Sequence, residues 1–373
     1  MTARGVEKAL AAQRLTIKIG SALLVDRGKV RRDWLDSLAD DIAEWRARGQ
    51  EIIVVTSGAI ALGRPALGLK KRALRLEEKQ AAAAAGQILL ARAWQESLAR
   101  HDLATAQLLV TPDDTEDRRR YLNARATVDT LLRLGAVPVV NENDTVATSE
   151  IRFGDNDRLG ARVAVMAGSE TLVLFSDVDG LYTANPSTDP AAVHIPEVVS
   201  VTPEIEAMAG ESLSGVGSGG MVSKIAAARI ATRAGTTVLL SRGSSAHPVR
   251  ELAGGARCTV FTAQVTPRRA RKDWIGAGLV VNGRLTIDDG AVSALSRGSS
   301  LLPAGVTAVD GSFERGDTVL VLSRDGRQLA KGLSAYDCDD ARRIAGRKTA
   351  EIEALLGWRG RDEMIHRDDM VLL

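Results

Sequence analysis

What most constrains this chain is an alternation. Over residues 1–261, short β-branched or apolar runs recur at 15–19, 51–56, 104–110, 136–140, 171–176, 236–240 and 257–261. Segments with helical spacing lie between them. In 31–48, Trp34, Leu35, Leu38, Ile42 and Trp45 recur every three or four residues, 72–100 is rich in Ala and Leu, and 221–234 reads MVSKIAAARIATRA before Gly235. Parallel strands need a crossover of a dozen or more residues between them, and a helix usually provides it. Strands alternating with helices therefore predict parallel βαβ units in a sheet covered on both faces, an α/β sandwich.

After Phe261 the texture changes. Residues 262–272 (TAQVTPRRARK) hold a proline and a basic cluster and read as an exposed linker. Short strands are expected at 277–281, 284–287, 306–310 and 318–322, with tight turns at Asn282-Gly283, Asp289-Gly290, Asp310-Gly311 and Arg315-Gly316-Asp317. One helix is expected at about 337–356, with Ile344, Ile352, Leu355 and Leu356 on its apolar side. Residues 273–373 thus read as a small β-rich domain. Charge is balanced, 49 basic against 47 acidic side chains for a net +2, and 17 against 16 beyond residue 261. That excludes a protein that coats nucleic acid by bulk electrostatics. Cys258 and Cys338 are read as two unpaired thiols. Met1 to Arg14 has no signal-peptide pattern and no run approaches the ~20 apolar residues of a membrane span, so the expected compartment is the cytoplasm.

The segment Ser214-Gly215-Val216-Gly217-Ser218-Gly219-Gly220-Met221-Val222-Ser223-Lys224 places four glycines within six positions, directly before a helical pattern. Backbone amides there can curl around an anion, the helix directs its positive end at the same place, and Lys224 adds a point charge. A Gly-rich surface linker is the plainer alternative. The order is not that of G-x-x-x-x-G-K-[ST], which occurs nowhere in the chain. Lys18 lies near the carboxyl end of the first strand, in Ile17-Lys18-Ile19-Gly20-Ser21. A lysine in a sheet buried on both faces is costly unless it meets an anion, and ligands of open α/β sheets sit outside those strand ends. Lysine is scarce, ten against 39 arginines, which adds weight to Lys18 and Lys224.

Thr56-Ser57-Gly58 forms a strand-to-helix turn suited to a carboxylate, although Ser-Gly also simply caps helices. Asn141-Glu142-Asn143-Asp144 follows another strand, and Gly154-Asp155-Asn156-Asp157 comes about a dozen residues later. Facing one cleft, these could hold an ammonium group, fix a lysine or reach Mg²⁺ through water; Asx turns capping a helix are the alternative. Ser176-Asp177 ends a further strand, a polar pair suited to a nucleotide's ribose or base side. The four histidines and both cysteines lie outside all of these motifs. That pattern fits a reaction whose nucleophile is already ionised, such as a carboxylate accepting a phosphoryl group.

Taken together, IKIGSALL at 17–24, VVTSGAIALG at 54–63, RRYLNARATV at 119–128, the run from PVVNENDT to LGARVA at 138–164, FSDVDGLYTANP at 175–186 and the glycine-rich segment at 214–235 resemble the amino acid kinase family. RGSSLLPAGV at 297–306, DARRIAG at 340–346 and HRDDMVLL at 366–373 extend the likeness over essentially the whole chain, to the branch that phosphorylates glutamate. The resemblance implies a three-layer αβα sandwich in 1–261 carrying the ATP and glutamate sites, and a PUA-like module with C-terminal tail in 273–373. It implies ATP-dependent phosphorylation of the side-chain carboxylate of L-glutamate, the first step of proline synthesis, with proline as inhibitor. Lys18 and Lys224 would neutralise phosphate charge and Asp157 would orient them. Ser57, Asp144 and Asn156 would bind glutamate. Lys18, Ser176, Asp177, Ser218, Gly219, Gly220, Met221, Val222, Ser223 and Lys224 would hold ATP, with Mg²⁺ on its phosphates and no direct protein ligand. A homo-oligomer, dimer or tetramer, is implied too. Ser176 stands where the family often has Thr, and Val178-Asp179 varies a loop that is not fixed. Sibling kinases acting on acetylglutamate, aspartate, carbamate or a nucleoside monophosphate should lack this pair of Asn/Asp clusters and the C-terminal module. RNA binding through Arg342, Arg343, Arg347 and Lys348 is disfavoured against a solvated helix face, given the charge balance.

Overall fold

The computed structural model describes residues 2–70, 72–146, 156–209, 220–278 and 280–373. They divide into two compact units, 1–267 and 268–373.

In the first unit the apolar runs become strands: β1 (Arg14–Ile19), β2 (Glu51–Val55), β3 (Thr105–Val110), β4 (Val137–Glu142), β5 (Thr171–Ser176), β6 (Glu197–Val198), β7 (Thr237–Arg242) and β8 (Cys258–Phe261). Among the described residues they form one sheet in the order β6-β8-β7-β5-β1-β2-β4-β3. From β7 to β3 every pairing is parallel, and β8 runs antiparallel to β7. All seven expected runs match to within a residue or two at each end. The two-residue β6 has no sequence signal because it is too short to show a period.

The intervening segments are helices: α1 (Arg32–Ala47), α2 (Ala59–Ala66), α3 (Leu76–Ala99), α4 (Arg118–Arg133), α5 (Asn156–Ala167) and α6 (Met221–Arg233). Alternation along β1 separates the layers. Ile17 and Ile19 share a core with Trp34, Leu35 and Leu38 of α1 and Leu90, Trp94 and Leu98 of α3. On the opposite face, Leu172 and Leu174 pack with Ala161 of α5 and Ile225 and Ala228 of α6, while Ile53 and Val55 pack with Leu159, Val163 and α4's Val128. The result is a three-layer αβα sandwich. No helix among the described residues is long and apolar enough to cross a membrane.

The second unit holds a five-stranded sheet built from β9 (Val281–Ile287), β10 (Val306–Gly311), β11 (Thr318–Ser323), β12 (Gln328–Leu333) and β13 (Met370–Leu372), in the order β10-β9-β11-β12-β13. Several local expectations are corrected here. The segment read as a linker enters a helix at Pro267 that runs to Gly278, because proline suits a first helical turn. Asn282-Gly283 is not a turn: it lies inside β9 at a register shift, where a Cβ on Gly283 would come 2.2 Å from Phe313 Cδ1. Glycine there makes room for an aromatic ring. Asp289-Gly290 opens a helix capped by Asp288, whose carboxylate accepts from the Ala291 amide at 2.7 Å. Arg315-Gly316 does turn, with Gly316 at φ +93°, whereas Asp310-Gly311 is not a turn: both residues are paired with β9 as the end of β10, Gly311 at φ +93°. The helix expected at 337–356 is broken at Gly346, φ +75°, into Cys338–Ile344 and Ile352–Leu356. β12 and β13 were not expected.

Candidate active site

Because β5, β1, β2 and β4 are adjacent and parallel, their carboxyl ends and the segments that follow share one edge of the sheet. Lys18 enters this edge from β1, facing the α5 layer, opposite Val55 of β2 and Leu174 of β5. Helix α5 rides directly on its stem: a Cβ on Gly160 would come 3.1 Å from Lys18 Cβ and Cγ. One turn earlier on α5, Asp157 is only 1% exposed and its Oδ1 forms an ion pair with Lys18 Nζ. Lys224, in the first turn of α6, brings its Nζ to 3.1 Å from Asp157 Oδ2, and the Ser223 hydroxyl donates to the same oxygen at 2.9 Å. Both lysines are more than nine-tenths buried.

Burial of this depth pushes a carboxyl group up, but the two ammonium charges outweigh it and hold Asp157 below its ordinary value. Asp157 is therefore an anion at neutral pH. Two lysines from different elements share one carboxylate, and the three groups together carry one net positive charge. Charges placed in so little water favour an anion in their company.

Asn156, next to this carboxylate, organises a second network. Its Nδ2 lies 2.7 Å from Thr56 O, 2.8 Å from Ser57 Oγ and 3.1 Å from Asn141 Oδ1, three acceptors that share its two hydrogens. Ser57 Oγ in turn donates to Ile19 O at 3.1 Å, so the ends of β1, β2 and β4 are tied to the start of α5. Asn141 Nδ2 donates to Gln87 Oε1 of α3 at 2.8 Å, and Trp94 Nε1 of the same helix to Thr56 Oγ1 at 3.1 Å. After Ser57 the chain turns through Gly58 at φ +108°, where a side chain would be strained and a Cβ would meet Val25 Cγ2 at 2.8 Å. Helix α2, which follows, touches α3 backbone to backbone. A Cβ on Gly63 would lie 1.8 Å from Ala82 O, and one on Gly86 1.8 Å from Ala59 O.

Of the residues singled out from sequence, Lys18, Asp157, Ser223 and Lys224 thus meet in one cluster, and Ser57 and Asn156 meet in the adjoining one. Ser176 is buried at the end of β5 and its Oγ donates to Asp177 Oδ1 at 2.8 Å. Gly220, Met221 and Val222 form the start of α6. Asp144 lies in the turn after β4, half-buried. Ser218 and Gly219 lie outside the described residues. Gln87 and Trp94 join the network without any expected role, and Thr56 and Asn141 join it as members of motifs in which they had no individual role; the nearest sequence signal for Gln87 is a polar residue in an alanine-rich helix beside Gly86. Among the described residues no group of three His, Cys, Asp or Glu could hold a metal ion. In the second unit, Arg342 bonds Asp339 Oδ1 and Gly311 O, and Arg343 bonds Leu355 O, so these two guanidinium groups are engaged within the unit.

Fold and site define an α/β protein that gathers buried positive charge at the carboxyl ends of its parallel strands. A model of the amino acid kinase family matches residues 13–240, and a model of the PUA domain matches 283–356. The chain belongs to the amino acid kinase family. A glutamate 5-kinase of Paramagnetospirillum magneticum is 61% identical over 364 residues, covering 97% of this chain and 98% of its own. Glutamate 5-kinase 1 of Mesorhizobium japonicum is 60% identical over 361 residues, covering 96% of each. The solved carbamate kinase from Giardia lamblia bound to AMP-PNP is 16% identical, with a TM-score of 0.48 over 68% of this chain and 100% of its own.

Proposed function

We propose that this protein transfers the γ-phosphoryl group of ATP to the side-chain carboxylate of L-glutamate, giving L-glutamyl 5-phosphate and ADP for proline biosynthesis. The observation that carries the reading is the convergence of Lys18 and Lys224 on buried Asp157 at the edge of the parallel sheet, in a chain whose close full-length relatives are named glutamate 5-kinases. The acceptor carboxylate is ionised at neutral pH and needs no base. One of its oxygens forms the new bond to the γ-phosphorus as the bond from that phosphorus to the bridging oxygen breaks, and ADP leaves with that electron pair. The protein's contribution is positioning and charge neutralisation. In this reading Lys18 and Lys224 offset charge on the transferring group and Asp157 fixes them. Ser57, Asp144 and Asn156 hold glutamate. Ser176, Asp177 and residues 218–224 hold the nucleotide, and Mg²⁺ arrives on its phosphates. The kinase chemistry is assigned to 1–261. Proline as inhibitor, a homo-oligomeric state and a cytoplasmic location belong to the same proposal.

An ADP-release assay with glutamate, acetylglutamate, aspartate and carbamate, each with and without proline, tests it. Release that requires glutamate and falls with proline is expected. Turnover of carbamate or aspartate without glutamate turnover would overturn it.

A further inference from the structure

We infer that Gln87, a residue of α3 outside every sequence motif, is a positioning residue that holds the Asn141 amide, through an acceptor oxygen, against the glutamate-binding amide Asn156, whose own direction Thr56 O sets. The inference rests on the reading that Asn156 binds the amino-acid substrate.

Two backbone carbonyls fix the direction of the whole chain of bonds. Thr56 O can only accept, so the side-chain atom of Asn156 at 2.7 Å from it must be the amide nitrogen. Ile19 O can only accept too, which commits the Ser57 hydroxyl hydrogen to it and leaves Ser57 Oγ to accept from Asn156. With the nitrogen of Asn156 turned to the strand ends, the atom of Asn141 facing it at 3.1 Å must be Oδ1. Asn141 Nδ2 then points at Gln87, whose facing atom at 2.8 Å must be an acceptor. Gln87 is the far end of this relay, on a helix pressed against α2 through Gly86.

The consequence reaches the substrate. A fixed donor side leaves Asn156 with Oδ1 as the atom its side chain can offer, and a carbonyl oxygen suits the ammonium group of an amino acid. Without an acceptor at position 87, Asn141 Nδ2 loses its partner and the amide is held only at Oδ1 by the longer 3.1 Å contact with Asn156, where a flip would set nitrogen against nitrogen.

The test uses Gln87→Met, close in volume and without an acceptor, and Gln87→Glu, which keeps an oxygen. With the full-length protein, KM for glutamate, KM for ATP and kcat are measured for both. Loss of one half-buried acceptor should raise the glutamate KM on the order of tenfold in Gln87→Met, with the ATP KM within about twofold, and Gln87→Glu should recover most of that loss. In an Asn141→Ala background, Gln87→Met should add nothing further. An unchanged glutamate KM in Gln87→Met, a parallel rise in both KM values, or equal loss in the Met and Glu variants would overturn the positioning role. Absence of glutamate-dependent ADP release in the unaltered protein would instead overturn the functional reading, and the inference with it.

Discussion

Replacing Asp157 by Asn keeps the shape of the side chain and one acceptor oxygen but removes the only anion of the three-group cluster. Asp157 is 1% exposed, with Lys18 Nζ on one oxygen and Lys224 Nζ at 3.1 Å from the other. Removing one partner of a buried ion pair costs about 3–5 kcal/mol, because the charge left behind is already desolvated. A unit of this size loses roughly 2–4 °C of melting temperature per kcal/mol, so Asp157→Asn should melt about 6–20 °C lower at pH 7. That leaves a folded protein if its stability lies in the usual range of about 5–15 kcal/mol. The pH dependence has a definite sign. The folded-state pKa of Asp157 is depressed below the ordinary value of 3.8. Its contribution is therefore complete above that value and is lost as pH falls through the depressed one, so the gap between the two proteins should stay constant from pH 8 to about 5 and narrow only in acid. Phosphate oxygens can replace the missing negative charge, so saturating ATP should raise the variant's melting temperature more than that of the unaltered protein. Calorimetry or a dye-based melt measures all three. A difference under about 2 °C at pH 7, or a gap that widens with ATP, would refute the charge argument.

Three further outcomes follow from the same geometry. Lys224→Ala leaves Asp157 paired with Lys18, so the fold should survive while glutamate-dependent ADP release falls by about two to three orders of magnitude; normal turnover in this variant would remove Lys224 from the reaction. Gly86→Ala puts a Cβ 1.8 Å from Ala59 O, so α2 and α3 must part, with a loss of about 1–3 kcal/mol or more in a thermal melt and a raised glutamate KM, since Ala59 begins the helix after Ser57-Gly58. Burial pushes the Cys258 thiol up to about 11, and Cys338 is half-exposed. Maleimide at pH 7.5 should therefore label one cysteine in the native protein and two in urea, and rapid native labelling of Cys258 would contradict its burial.

The sheet and its covering helices were legible because they leave a periodic record. Trp34, Leu35, Leu38, Ile42 and Trp45 recur at the helical interval, and all five are buried in α1. Lys18 was legible for the opposite reason: a charge inside an otherwise apolar strand has few explanations. The second unit was read less well. A glycine after Asn or Asp signals a turn only if the chain needs positive φ there, and Gly283 is required instead by Phe313, thirty residues later.

By itself, then, the sequence determined the class of fold, the strands that end at the site and the charged residues that had to be accounted for, since period, turn chemistry and burial cost act over a few neighbouring residues. Only the tertiary structure decided which of those residues meet. The order β5-β1-β2-β4 brings together strands far apart in the chain, and with them Lys18, Asp157 and Lys224, separated by 139 and 67 positions. The bond from Asn141 to Gln87 spans 54 residues, and the contact of Gly63 with Gly86 depends on how two helices cross. Such pairings follow from the packing of whole layers, in which each side chain's partner is set by elements that its own stretch of sequence does not contain.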